Sequence, residues 1–134
     1  MFIALTGSDK VVNMDPDGDI TSEWGETGSE PGQLNGPQGT CVDGEGNVYV
    51  AETNGGRIQK FNQEGELIWT SDMQWPGLTL ITMDSEGKLY VTDCLHSVVV
   101  VLNDSTAVPP DNGSVKESET VFTLEASEEI KAGS

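Results

Sequence analysis

The side chains best suited to chemistry in this sequence are carboxylates. Asp15, Asp17 and Asp19 alternate within Asp15-Pro16-Asp17-Gly18-Asp19, with Glu23 and Glu26 close behind and no basic residue among them. Oxygen ligands at this density suit calcium, but an EF-hand loop needs glycine at its sixth position, where Ile20 stands. A hairpin turn is the competing reading, and calcium in a looser site is the alternative. A second group, Asp43, Glu52, Asp84 and Asp93, falls at the ends of short apolar runs. Carboxylates there accept backbone N–H bonds and fix turns. His96 is the only histidine, which excludes a zinc site built from several histidines of one chain. With no nucleophile elbow either, no catalytic residue and no metal ligand is assigned.

The composition narrows the partners. In 134 residues, 23 Asp and Glu against 6 Lys and Arg give a net charge of -17. That field repels phosphate backbones, and Arg57 with Lys60 makes no basic patch, so nucleic acid is not an expected partner. The acidity serves solubility or a salty environment, or else binding of cations or of a basic partner. The length suits one domain with a modest core. Cys41 and Cys94 are too few for a disulfide framework, and each falls in an apolar run, so both are expected to be free, buried thiols. No stretch approaches the roughly 20 apolar residues of a membrane span. Met1 to Leu5 lacks a basic flank, so no signal peptide is expected and the chain reads as soluble.

The carboxylates are spaced by a repeat. Asp15-Pro16-Asp17-Gly18, Asp43-Gly44-Glu45-Gly46, Asn62-Gln63-Glu64-Gly65 and Asp84-Ser85-Glu86-Gly87 share the pattern Asp/Asn, any residue, Asp/Glu, Gly. The first side chain can bond backbone two residues on, and the glycine can take the left-handed conformation that ends a hairpin turn. Short β-branched or aromatic runs flank each turn, as antiparallel strands require. Gly46 to Gly87 is a step of 41 residues that lays Val48-Tyr49-Val50-x-Glu52 on Leu89-Tyr90-Val91-x-Asp93. Gly18 to Gly65 is a step of 47 that lays Phe2-Ile3-Ala4 on Tyr49-Val50-Ala51. Four strands per unit of roughly 40 residues is the pattern of a β-propeller blade. Sustained helical periodicity is absent.

The stretch Trp24-Gly25-x-x-Gly28-Ser29-x-Pro31-Gly32-Gln33-Leu34-Asn35-x-Pro37-x-Gly39 runs on through Val42-Asp43 and Asn47-Val48-Tyr49-Val50-Ala51-Glu52 to Gly56-Arg57-Ile58-Gln59-Lys60-Phe61. It resembles an NHL repeat, strongly over residues 14 to 70 and more weakly from 79 to 104. Gly55-Gly56 replaces the Asn-His pair that usually precedes the Arg-Ile of this motif, and the next unit has His96-Ser97-Val98-Val99. The resemblance implies an all-β propeller of four-stranded antiparallel blades. NHL-like amidating lyases use a histidine-rich zinc site that this chain cannot build, and RNA binding, known in some NHL proteins, conflicts with the charge.

The expected strands are Phe2 to Thr6, Lys10 to Met14, Asp19 to Trp24, Gly39 to Asp43, Asn47 to Glu52, Arg57 to Phe61, Glu66 to Thr70, Thr79 to Met83, Lys88 to Asp93 and Val98 to Leu102. Thr120 to Leu124 supplies the last. This divides residues 1–125 into a partial blade (1–36), a full blade (37–78) and a third (79–125) with a polar insertion at 103–118; 126–134 reads as a mobile acidic tail. Trp24, Trp69 and Trp75 are expected in outer-strand and inter-blade packing. About three blades leave an incomplete ring, so either copies associate into a homo-oligomer that completes it or the chain is a segment of a longer one. Blade loops present contacts while sheets hold them. The expected function is a non-catalytic scaffold that binds protein or small-molecule ligands, without a required cofactor. The alternative is part of a metal-dependent propeller hydrolase or lactonase, with carboxylates at the axis. Ligand contacts are expected from Glu52, Asp93, Arg57 and His96.

Overall fold

Alternation of apolar and polar residues between glycine turns builds eleven strands in the computed structural model, which describes residues 1–71, 77–104 and 129–131. A three-stranded sheet contains β1 (Phe2–Leu5), β2 (Lys10–Met14) and β3 (Ile20–Trp24). A second holds β4 (Pro37–Val42), β5 (Val48–Glu52), β6 (Arg57–Phe61) and β7 (Leu67–Thr70), paired in that order. The third holds β8 (Leu78–Met83), β9 (Lys88–Asp93), β10 (Val98–Asn103) and β11 (Glu129–Lys131), paired in that order. All pairings are antiparallel, and the repeat aligns the registers: Val50 faces Gln59 in the second sheet as Val91 faces Val100 in the third.

The boundaries depart from expectation in a few places. The fourth strand starts at Pro37, with a bulge between Pro37 and Gly39. Proline lacks an N–H and is tolerated at the first residue of a strand. The edge of β10 is taken by β11, whose residues the sequence assigns to the acidic tail; Thr120 to Leu124, Trp75 and most of the 103–118 insertion lie outside the described residues. Three residues with two charges carry no visible strand pattern, and only pairing with Val98, Val99 and Val100 identifies β11. The cysteines also divide. Cys41 is partly buried in β4, but Cys94 is exposed in the turn after β9, where the apolar run has already ended.

All four hairpin turns have the expected construction. Asp15, Asp43, Asn62 and Asp84 each accept bonds from backbone N–H groups two and four residues on. Gly18, Gly46, Gly65 and Gly87 have φ of 91, 84, 86 and 87°. Gly65 carries a second constraint, because a Cβ there would overlap the Trp24 ring, whereas one on Gly18 meets open space. Gly18→Ala is therefore expected to cost about 1 kcal/mol through backbone strain alone. Gly65→Ala should add overpacking and cost about 2 kcal/mol or more. Equal losses in urea titrations would mean that Trp24 does not pack over that turn.

Apolar faces of the sheets meet in two cores. Val11, Leu34, Val48, Val50 and Phe61 fill the first, with Trp24 packed against Phe61 at a centroid distance of 4.5 Å and a tilt of 44°. The second lies between the second and third sheets, where Tyr49, Ala51 and Ile58 meet Ile81, Val91 and Leu102, and Trp69 stands edge-on to Tyr49 at 6.0 Å. The innermost strands approach closely: a Cβ on Gly39 would stand 2.5 Å from the Thr79 carbonyl oxygen.

Candidate functional site

Four-residue turns join the first two strands of the three-stranded sheet and the second and third strands of the other two, and their three sequences differ. Residues 6–9 are Thr-Gly-Ser-Asp, 53–56 are Thr-Asn-Gly-Gly and 94–97 are Cys-Leu-His-Ser. The last residue of each is left-handed: Asp9 at φ 52°, Gly56 at 66° and Ser97 at 54°. Two of the three are not glycine and accept the strain of that conformation. The first residue ties neighbouring sheets together. Thr6 Oγ1 donates to the Pro37 carbonyl at 2.8 Å, and Thr53 Oγ1 donates to the equivalent Leu78 carbonyl. Cys94 holds that place in the third sheet.

Beneath the middle turn, Glu52 is fully buried. Its oxygens accept from Asn35 N at 2.8 Å, Gln59 Nε2 at 2.9 Å, and Arg57 Nε and Nη2 at 2.7 and 3.3 Å. The Arg57 guanidinium also donates to the carbonyls of Ser29, Glu30 and Gln33. Glu52, Arg57 and Gln59 thus clamp the Gly- and Pro-rich loop that leads into β4. These two expected ligand contacts are committed to holding backbone. A carboxylate accepting four bonds has no lone pair to spare.

In the third sheet Val98 replaces the arginine, and the carboxylate finds its partner in the turn. Asp93 accepts from the Leu95 and His96 N–H groups at 3.0 and 3.2 Å and lies 2.8 Å from His96 Nδ1. The Asp93 side chain is buried, while that of His96 is 63% exposed. The four expected residues therefore form two pairs on adjacent sheets, with equivalent carboxylates and partners from different positions. Only His96 turns an imidazole to solvent.

A second charged cluster shows no sign in the sequence. Lys60 Nζ lies 3.2 Å from Asp104 and 3.6 Å from Asp43, all three side chains buried, and 5.1 Å above the Tyr49 ring. Tyr49 donates its hydroxyl to Asp104 at 2.5 Å. Burial, then the Asp104 bond, pushes the Tyr49 hydroxyl far above its ordinary range. Asp84 at the equivalent turn goes the other way: burial opposes ionisation, but bonds from Lys88 and Glu86 N–H and the Tyr90 hydroxyl hold its carboxyl below its ordinary value. Among the described residues, no three His, Cys, Asp or Glu side chains gather to hold a metal ion.

Burial, then the charge of Asp43, pushes the Cys41 thiol up to about 12. Thiolate is the nucleophile, so Cys41 is expected to resist a disulfide reagent in the native protein while exposed Cys94 reacts. Titration should find one thiol before denaturation and two after; two at once would contradict the packing of β4. An unfolded thiol loses its proton near 9.0, well before the native Cys41 does. Stability therefore falls as pH rises through that window, and Cys41→Ala should flatten the fall.

With this geometry in view, residues 34–61 match the family model for the NHL repeat. They span the core residue Leu34, β4, β5 and β6. Over that stretch the chain is similar to an NHL repeat. It is 46% identical over 43 residues to the B-box type zinc finger protein ncl-1 of Caenorhabditis elegans, covering 32% of this chain and 5% of that protein. It is 24% identical over 126 residues to NHL repeat-containing protein 3 of Homo sapiens, covering 92% of this chain and 35% of that protein. The chain thus spans about a third of the length of that relative. Among solved structures, a streptogramin B lyase superposes with a TM-score of 0.59 at 20% identity over 75% of this chain and 32% of its own. Virginiamycin B lyase from Staphylococcus aureus gives 0.61 at 19% over 78% and 34%. These likenesses establish the fold: the three sheets are blades of a partial β-propeller.

Proposed function

We propose that this chain is a non-catalytic binding module that displays contact residues for a protein or small-molecule ligand on the row of turns 6–9, 53–56 and 94–97. The observation that carries the reading is the contrast between the two ends of the blades. At one end the turns repeat the same acidic hairpin four times. At the other, turns that each end on a left-handed residue carry different side chains, among them Leu95 at 67% exposure and the exposed His96. The carboxylates below are bonded internally, which supports positioning in preference to catalysis. At this stage the activity of the lyases named above belongs to those proteins.

Selection of a displayed random-peptide library on the immobilised chain tests the reading. Recovered peptides should lose about tenfold or more in affinity on Leu95→Ala or His96→Ala, the size expected of interface anchors. They should be indifferent to Glu45→Ala and Glu86→Ala at the opposite end. Peptides that map to the acidic hairpins, or hydrolysis of lactone substrates that depends on added divalent metal, would overturn it.

A further inference from the structure

The buried carboxylate of the third blade lacks the cation that its counterpart has. In the second blade Arg57 neutralises Glu52, with Nε 2.7 Å from the carboxylate. A step of 41 residues puts Asp93 on Glu52 and Val98 on Arg57, so that guanidinium is gone. Asp93 is 3% exposed. Among the described residues, its Oδ1 accepts from the Leu95 and His96 N–H groups, and its Oδ2 faces His96 Nδ1. An ionised carboxylate only accepts, so Nδ1 carries the proton and Nε2 keeps a lone pair. With a neutral imidazole, the Asp93–His96 pair therefore holds one negative charge and turns an acceptor to solvent.

The turn is pinned around that arrangement. A Cβ on Gly77 would stand 2.8 Å from Asp93 Oδ1 and 2.7 Å from Leu95 Cγ, and the Gly77 carbonyl accepts from Cys94 N at 2.9 Å. The position is also open throughout the array. The repeat aligns Gly7, Asn54 and Leu95, and all three are exposed, the middle one with a blade on either side. The turns 6–9, 53–56 and 94–97 hold no lysine or arginine. We infer that His96 Nε2 receives the guanidinium or ammonium group of a peptide partner, with Asp93 as the positioning residue that fixes the imidazole as an acceptor. The incoming cation supplies at the surface the charge that Arg57 supplies inside the second blade. Leu95, 67% exposed beside it, offers an apolar surface to the methylene stem of an arginine or lysine. The inference rests on the row of turns being the binding face.

His96 is the single histidine, so proton–nitrogen correlation on isotope-labelled protein reads its ring directly. At about pH 8, above the ordinary histidine range, the Nδ1–H tautomer is expected. Asp93→Asn should reverse it. Oδ1 stays bonded to two backbone N–H groups, so the amide nitrogen takes the place of Oδ2, donates to Nδ1 and drives the proton to Nε2. N-acetylargininamide should shift the His96 Nε2 signal of the native chain, and N-acetylglutamate should not. Asp93→Asn should weaken that response about tenfold or more, the loss expected of a charge-assisted hydrogen bond. His96→Lys, at an exposed site, gives Asp93 a cation of its own; the Leu95 amide should then ignore argininamide, and this arm decides if Asp93→Asn melts early. An Nε2–H tautomer or an imidazolium in the native chain would overturn the inference, as would a response that both variants retain. So would selected library peptides that map to the turn row yet carry neither arginine nor lysine, a result that leaves the row itself standing as the binding face.

Discussion

Replacing Arg57 with alanine is expected to destabilise the protein by about 3–5 kcal/mol, because it leaves a buried carboxylate without its cation. Glu52 has no exposure to water, and its shortest bond, 2.7 Å, is to Arg57 Nε. The same change strips donors from the carbonyls of Ser29, Glu30 and Gln33. Stability and loop order should therefore fall together. Urea unfolding measures the first, and cleavage by a Glu-specific protease at Glu26 or Glu30 measures the second. Arg57→Lys should recover little, since an ammonium cannot fork between a carboxylate and several carbonyls. Glu52→Gln combined with Arg57→Met should be milder than Arg57→Ala, because no buried charge is orphaned. A loss below about 1 kcal/mol for Arg57→Ala would place the pair among weak surface ion pairs and contradict the clamp.

Lys60→Met should be at least as damaging. The ammonium stands between Asp43 and Asp104, each more than nine-tenths buried, and its removal leaves two carboxylates facing each other in the core. The cost expected of breaking such a pair is about 3–5 kcal/mol, and repulsion between the carboxylates adds to it. Combining Lys60→Met with Asp43→Asn and Asp104→Asn should return much of the loss, since Asn keeps the turn-capping oxygen at position 43. Non-additivity in that cycle reports the coupling directly. If the triple variant were less stable than Lys60→Met alone, the cluster would hold the blades by something other than charge pairing.

What the sequence made legible follows from distance along the chain. The Asp/Asn-x-Asp/Glu-Gly turns and the β-branched runs beside them are local devices, and both strand order and turn geometry could be read from them. The Glu52–Arg57 pair is nearly local, spanning one turn, yet the loop that it clamps leaves no sign beside it in the sequence. Strand-end charges look alike whether they face a ligand or a loop, and the bonds to Ser29, Glu30 and Gln33 cross 24 to 28 residues. The Lys60–Asp104 contact spans 44 residues and Tyr49–Asp104 spans 55, so neither leaves a pattern in any short window. β11 shows the same limit, since a three-residue edge strand is defined by the neighbour it pairs with. The repeat sets His96 and Asp93 against Gly55 and Glu52, so that both stand out in the sequence.

Successive blades stack in one repeated geometry, tied by Thr6 to the residue opening β4 and by Thr53 to the residue opening β8. Nuclear Overhauser spectroscopy on labelled protein tests it most directly. Cross-peaks are expected from Thr6 to Pro37 and from Thr53 to Leu78, together with the cross-strand pairs Val50–Gln59 and Val91–Val100. Cross-strand peaks without the two threonine contacts would describe three hairpin sheets that do not stack as propeller blades, and would contradict it.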